Sequence, residues 1–238
     1  MKAADFVVTE PMVIGHECAG VVEEVGSEVK HLVPGDGVAI EPGISCLRCG
    51  LCKEGRYNLC PEMKFLATPP VHGSLANQGH WSETMNDERL SVAKELGADE
   101  TIKVSTNINL KQDVSAEVEQ IKKAMGAGID ISIDCAGFTK TLSTALNATS
   151  SGGKVCLVGL ADDEMTIPLA PAAVRDVDLV GVFRYRNTWP FCIEFQSSGK
   201  IDVKPLITHR FGFSQEEVEE AFDTSARGGT AIKVMFNL

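Results

Sequence analysis

Cys46-Leu47-Arg48-Cys49-Gly50-Leu51-Cys52, with Cys60 after a further gap of seven residues, is the stretch that decides how this chain is read. Three thiols at two-residue gaps and a fourth soon after let a short loop wrap back and offer four soft sulfurs at tetrahedral corners. That is the arrangement Zn²⁺ takes in closed structural sites. Gly43, Gly50 and Gly55 allow the tight turns such a cage needs. The alternative is buried thiols or disulfides. Met1-Lys2-Ala3-Ala4-Asp5 has no apolar secretion segment, and eight cysteines without one fit a reducing compartment. The spacing therefore predicts a structural zinc in a cytoplasmic protein. With all four positions closed by protein, the ion would have no open site for catalysis.

Working outward, the 238 residues suffice for one large domain or two small ones, and 44% hydrophobic residues supply a core. No apolar run reaches membrane-spanning length. The net charge of −11 argues against nucleic acid or an anionic membrane as partner. Before the cysteines, residues 17–25 and Val38 to Glu41 read as short strands, separated by Gly26-Ser27 and Pro34-Gly35-Asp36-Gly37 turns. This predicts a β-rich domain from which the cysteine lobe is an excursion.

Beyond a stretch from Pro69 to Asn86 with no clear period, the texture changes. Leu90, Ala93 and Leu96 share a helical face that Gly97 stops, and Thr101 to Val104 is a candidate strand. Val114, Val118, Ile121 and Met125 mark a second helix, ending at Gly126, and Leu142, Ala145 and Leu146 a third. Strands are predicted at Ile129 to Asp134, Lys154 to Leu160 and Asp178 to Phe183, the last two as apolar runs buried on both faces of a parallel sheet. Strands alternating with helices indicate a doubly wound α/β unit. In the tail, Ser214-x-x-Glu217 is a capping box for a helix with Val218, Ala221 and Phe222 inward, and Ala231 to Phe236 is a closing strand.

Gly15-His16-Glu17 offers two groups that zinc accepts, although such a pair is more often a polar loop feature. Gly15-His-Glu-Cys-Ala-Gly-Val-Val22, Pro34-Gly-Asp-Gly-Val-Ala-Ile-Glu-Pro-Gly43 and the four cysteines together resemble the zinc-dependent medium-chain dehydrogenases. Gly181-Val-Phe-Arg-Tyr-Arg-Asn-Thr-Trp-Pro190 and Val203-Lys-Pro-Leu-Ile-Thr-His-Arg210 resemble their sorbitol (polyol) dehydrogenase branch. The likeness runs from Phe6 to Gln78 and from Arg89 to Leu238.

The resemblance implies a GroES-like catalytic domain over 1–78 with the zinc lobe at 43–62, and a junction at 79–88. It implies a Rossmann cofactor domain over 89–183 and a return to the catalytic domain over 184–238. It implies NAD as hydride acceptor and a zinc acting as Lewis acid on a polyol hydroxyl. Position by position, His16 and Glu17 match catalytic-zinc ligands, and Cys46, Cys49, Cys52 and Cys60 match structural-zinc ligands. Val158, Gly159, Leu160, Val182, Phe183 and Arg184 match segments lining the NAD site, and Arg89 an arginine near the adenosine ribose. Arg184 and Tyr185 match substrate contacts. The expected partners are a small polyol and other subunits, either copies of this chain or intact relatives. Read without the resemblance, Val158 to Leu160 and Phe183 would be sheet core.

The chain departs from that family at its active site. Met1 lies fifteen residues before His16 with no cysteine between, so the first catalytic ligand is expected to be missing, and Cys18 is a poor substitute because it adjoins Glu17. Between Gln78 and Arg89 the family has a long segment bearing a Glu-Pro motif, the glycine turn and the acidic ribose ligand. Here Gly79 to Asn86 reads as a splice, with Thr84 near the acidic position and Glu83 one residue off register. No Gly-x-Gly-x-x-Gly is present, and Gly126-Ala-Gly128 precedes a strand instead of following one. Gly37 stands where arginine is usual. Impaired turnover is expected, with a non-catalytic zinc-binding splice product as the alternative.

Overall fold

The computed structural model describes residues 2–3, 6–7, 9–74, 87–104, 110–126 and 128–237. The chain divides into two units, one of Met1–Asn86 with Arg186–Leu238 and one of Asp87–Tyr185. The proposed splice at 79–86 lies outside the described residues.

The first unit is built from short ladders. β1 (Lys2–Ala3) pairs antiparallel with β2 (Phe6–Val7), and β3 (Cys18–Val21) with β4 (Gly37–Ile40), Cys18 opposite Ile40. The expected strand at 17–25 is shorter, because the chain leaves the ladder after Val21 and turns, Val29 N–H donating to the Gly26 carbonyl at 3.0 Å. The Pro34–Gly37 turn forms as its residues dictate. Gly35 sits at φ +98°, where a side chain would be strained, and the Asp36 carboxylate takes the Val33 N–H at 2.9 Å. β5 (Gly43–Ile44) and β6 (Lys64–Phe65) pair antiparallel and bracket the cysteine lobe, which holds α1 (Gly50–Lys53) and a 3₁₀ turn at Tyr57–Leu59.

The second unit carries α2 (Asp87–Glu95), α3 (Leu110–Met125), β7 (Ile131–Asp134), α4 (Thr139–Ala148), β8 (Lys154–Leu157), α5 (Leu169–Ala173) and β9 (Asp178–Gly181). The three strands form a parallel sheet in the order β7-β8-β9. Leu142 and Leu146 of α4 bury against Val155 and Ala172, while Val114 and Val118 of α3 bury against Ile129 and Ala148. Arg175 ties the end of α4 to the turn after α5: its guanidinium donates to the carbonyls of Leu146 at 2.6 Å, Pro171 at 3.0 Å and Thr149.

Two strand expectations are corrected here. Residues 101–104 form no strand, because a β-prone run becomes one only where a neighbour takes its hydrogen bonds, and no described residue pairs with them. β8 and β9 are not buried on both faces. Val155 is fully buried, but Val158, Leu160 and every residue of β9 are exposed: the helix cover of the described sheet centres on Val155 and does not reach across β9, its edge strand.

The tail returns to the first unit as α6 (Trp189–Ser197), β10 (Ile207–Phe211), α7 (Gln215–Arg227) and β11 (Lys233–Phe236). β10 and β11 are parallel with α7 as crossover, a βαβ unit. Ser214 and Glu217 form the expected capping box, and Gly228 ends α7 at φ +65°. Ala221, Ala231 and Val234 form its core, with Phe211 and Phe236 packed on it. Among the described residues no helix is long and apolar enough to cross a membrane.

Candidate metal centre

The cysteine lobe forms because its backbone makes several sharp reversals in few residues. Gly43 lets the chain pass Met63 and Phe65, since a Cβ there would lie 3.1 Å from the Met63 sulfur and 3.3 Å from the Phe65 ring. Leu47 at φ +57° and Gly55 at φ +74° turn the loop back on itself. The four sulfurs converge, all within 4.8 Å of one another. None is in a disulfide. A tetrahedral site with bonds of about 2.3 Å places sulfurs nearly 4 Å apart, so the cage fits zinc with little movement.

Backbone donors already favour thiolate here. The Cys49 N–H points at Cys46 Sγ and the Cys46 N–H at Cys60 Sγ, each at 3.4 Å. Hydrogen bonds from the Arg48 and Cys49 backbone hold the Cys46 thiol down to about 7, whereas burial pushes Cys52 up to about 11. An incoming cation therefore finds Cys46 partly thiolate at neutral pH and must displace the proton of Cys52. Cys60 is buried, and the exposed Arg48–Glu62 ion pair spans the outside of the lobe.

His16 and Glu17 present a different picture. Gly15 stands at φ +97°, and residues 13–15 are held by Gly73 and Ser74, whose N–H groups donate to the carbonyls of Val13 at 2.7 Å and Gly15 at 2.9 Å. Gly73 must be glycine, because a Cβ would lie 2.3 Å from the Ile14 carbonyl oxygen. The His16 ring lies 5.6 Å from that of Phe65, and Glu17 accepts a hydrogen bond from Lys233. Among the described residues the four cysteines form the one cluster of three or more metal-ligating side chains, and neither Cys18 nor any other joins His16 and Glu17. The donors present fit the four-sulfur zinc and do not fit a catalytic zinc.

In the second unit, the residues matched to the cofactor lie beyond the strand ends. Val158 and Gly159 both donate N–H to the Asp134 carbonyl at 2.9 Å. Gly137 and Gly159 meet backbone to backbone, for a Cβ on Gly159 would lie 2.4 Å from the Ala136 carbonyl carbon. The Arg184 guanidinium stacks 4.6 Å from the Phe183 ring centroid, and burial holds its pKa below the usual value. Tyr185 is half-buried, and Arg89 is half-buried on α2. The first turn of α4 cannot receive a pyrophosphate, because the Asp162 carboxylate already takes the Thr139 N–H at 2.8 Å and its hydroxyl at 2.9 Å. The sequence has no Gly-x-Gly-x-x-Gly, so among the described residues no glycine turn offers its N–H groups to a dinucleotide pyrophosphate. Thr84 and Glu83 lie outside the described residues.

Sequence reasoning missed one feature. In the first unit Ala39, Glu41, Tyr57, Asn187, Trp189, Pro190 and Ile193 line a cavity of about 440 Å³. The Asn187 N–H donates to the Tyr57 hydroxyl at 2.8 Å, and burial raises the Glu41 pKa. Its walls come from segments 130 positions apart, so no local pattern announces it.

Residues 84–198 match the family profile described as zinc-binding dehydrogenase, and residues 1–94 the alcohol dehydrogenase GroES-like domain. A sorbitol dehydrogenase of Arabidopsis thaliana is 57% identical, covering 100% of this chain and 83% of that protein. An L-idonate 5-dehydrogenase of Vitis vinifera is 54% identical over 100% of this chain and 82% of its own. Among solved structures, L-idonate 5-dehydrogenase from Escherichia coli superposes with a TM-score of 0.80 at 21% identity, covering 100% of this chain and 85% of that one. The Arabidopsis alignment runs over 304 residues, more than the 238 this chain contains, so part of the relative's span faces no residue here.

Proposed function

The chain belongs to the sorbitol-dehydrogenase-like branch of the zinc-dependent medium-chain dehydrogenases, and on that premise we propose that it is a polyol-dehydrogenase-type oxidoreductase with an intact structural zinc and impaired turnover. The reaction proposed for the branch is oxidation of a secondary alcohol of a sorbitol-like polyol to a ketone, with hydride passing to NAD. In a member with a complete site, a catalytic zinc would supply acidification of the alcohol and a nicotinamide the hydride acceptor. This chain's own residues support the family's architecture more fully than its chemistry. Cys46, Cys49, Cys52 and Cys60 would hold a zinc that braces the loop between β5 and β6. Arg184 and Tyr185 are proposed as polyol contacts, and Val158 to Leu160 with Val182 and Phe183 as walls of the cofactor crevice. His16 and Glu17 are proposed as the remaining part of the catalytic metal site. The proposed setting is the cytoplasm.

The observation that carries this reading is the contrast between four converging sulfurs and a His16–Glu17 pair that gathers no third ligand. The same contrast favours a second reading, a non-catalytic zinc-binding chain that joins intact subunits. One experiment separates them. The purified chain is assayed for NAD-dependent sorbitol oxidation across pH and added zinc, beside a zinc-loaded blank. Turnover above the blank and well below that of the Arabidopsis relative supports the first reading. No turnover under any condition favours the second, and turnover equal to the relative's removes both.

A further inference from the structure

The cavity of about 440 Å³ lies within the first unit, and none of its lining residues belongs to the proposed zinc, cofactor or polyol contacts. That volume suits a small molecule. Three separated segments build the wall. Ala39 lies on β4 and Glu41 follows it, Tyr57 opens the 3₁₀ turn of the cysteine lobe, and Asn187, Trp189, Pro190 and Ile193 come from the entry and first turns of α6. The junction between lobe and helix is a specific one. Asn187 stands at φ +55°, a conformation that is costly for a residue with a Cβ. From there its N–H donates to the Tyr57 hydroxyl at 2.8 Å, which ties Tyr57 to the start of α6.

The chemistry of this wall is one-sided. It holds one carboxylate, Glu41, and two aromatic side chains, Tyr57 and Trp189, with no lysine, arginine or histidine. Among the described residues no cation pairs with Glu41, although burial already raises its pKa. The desolvation of its charge is therefore not offset within the described chain. Aromatic faces attract cations through the ring quadrupole, tryptophan most strongly. Ala39, Pro190 and Ile193 add apolar surface for carbon. The net charge of −11 draws cations to the chain and repels anions. A neutral polyol would gain nothing from the unpaired charge or the ring quadrupoles. We propose that this cavity binds a small organic ammonium ion, with Glu41 as its counter-ion and Trp189 and Tyr57 as its aromatic walls. The site does not rest on the dehydrogenase reading, because it needs the first unit alone.

The test is titration of the full chain, zinc-loaded, with benzylammonium, beside benzamide and benzoate as neutral and anionic counterparts of similar size. The indole N–H of Trp189 is followed by ¹⁵N–¹H NMR and told apart from that of Trp81, the other tryptophan, with Trp81→Phe. Benzylammonium is expected to shift the Trp189 signal saturably between about 0.1 and about 30 mM, with benzamide weaker and benzoate weakest. Glu41→Gln is expected to weaken benzylammonium by about fivefold, the value of a partly screened charge pair, and to leave benzamide unchanged. Tyr57→Leu is expected to weaken it by about threefold through loss of the ring. Glu23→Gln, at an exposed carboxylate outside the cavity, is the control and keeps the wild-type affinity. Far-UV circular dichroism and zinc content verify that each variant is folded. A Trp189 signal that benzylammonium does not shift saturably overturns the proposal. So does benzamide binding as tightly as benzylammonium, or a Glu41→Gln chain that binds benzylammonium as the control does.

Discussion

Lys233 donates to the Glu17 carboxylate, joining β11 to the residue just before β3 across 216 positions of the chain. The pair therefore closes the first unit, and it also occupies an oxygen that the resemblance assigns to a metal. Its side chains are 32% and 40% exposed, so water screens much of the attraction. Lys233→Ala is expected to cost about 1 kcal/mol or less. A double-mutant cycle with Glu17→Gln in urea, at low salt and at 1 M salt, reads the coupling, which should shrink at high salt. A coupling that salt leaves unchanged would mean the pair is buried in solution.

Metal content follows from the two donor sets. The purified chain is expected to hold close to one zinc, released by a thiol-reactive reagent, and Cys60→Ser is expected to bring the content near zero while leaving the far-UV spectrum of the helices. Because Cys52 must lose a proton from a pKa of about 11, zinc uptake should release protons and weaken as pH falls. Elemental analysis alongside a pH-indicator titration measures both. Two tightly held zincs per chain would show that His16 and Glu17 recruit a further ligand.

The cage was legible in advance because thiols at short, regular gaps are a local signal, and so were the α7 capping box and the glycine stops of α2 and α3. The burial of β8 and β9 was not. Apolar runs such as Lys154 to Leu160 show that a strand could be covered on both faces, but whether a helix lies on each face is settled by segments far away in the chain. The same holds for Glu17. Its type and place beside His16 suggest a ligand, yet the cation that pairs with it, Lys233, comes from β11. The cavity lined by Tyr57 and Trp189 was invisible for the same reason.

The contact of Gly137 with Gly159 predicts a steep local effect. Gly159→Ala would set a methyl against the backbone at Ala136 and is expected to destabilise by about 1–3 kcal/mol. Gly181→Ala, at a position with nothing within 4 Å of the added carbon, is the matched control and should stay within about 0.5 kcal/mol of wild type. Equal midpoints for the two variants in urea denaturation would show that the loops after β7 and β8 do not touch.

Arg175 holds three carbonyls at once, those of Leu146, Thr149 and Pro171. Arg175→Ala leaves partly buried carbonyls without a donor and should cost about 1.5–3 kcal/mol. Arg175→Lys restores one point of charge but not the planar fork, so it should recover less than half of the loss. Full recovery by lysine would mean that charge near the end of α4, and not the fork, is what matters.

Glu217 gives the chain a pH signature. Hydrogen bonds from the Ser214 hydroxyl, then from the Gly212 and Ser214 N–H groups, hold its carboxyl below the ordinary 4.5. A carboxyl depressed in the folded state binds a proton less readily there than in the unfolded chain. Its contribution is therefore complete above about 4.5 and is lost as pH falls through the lower folded value. Ser214→Ala removes both the helix cap and the largest cause of that depression. It should cost about 1 kcal/mol at neutral pH, and the gap to wild type should narrow steadily below pH of about 4.5. Thermal midpoints of wild type, Ser214→Ala and Glu217→Gln between neutral and acid pH measure this. If the gap widens on acidification, the capping box is not what sets the Glu217 carboxyl.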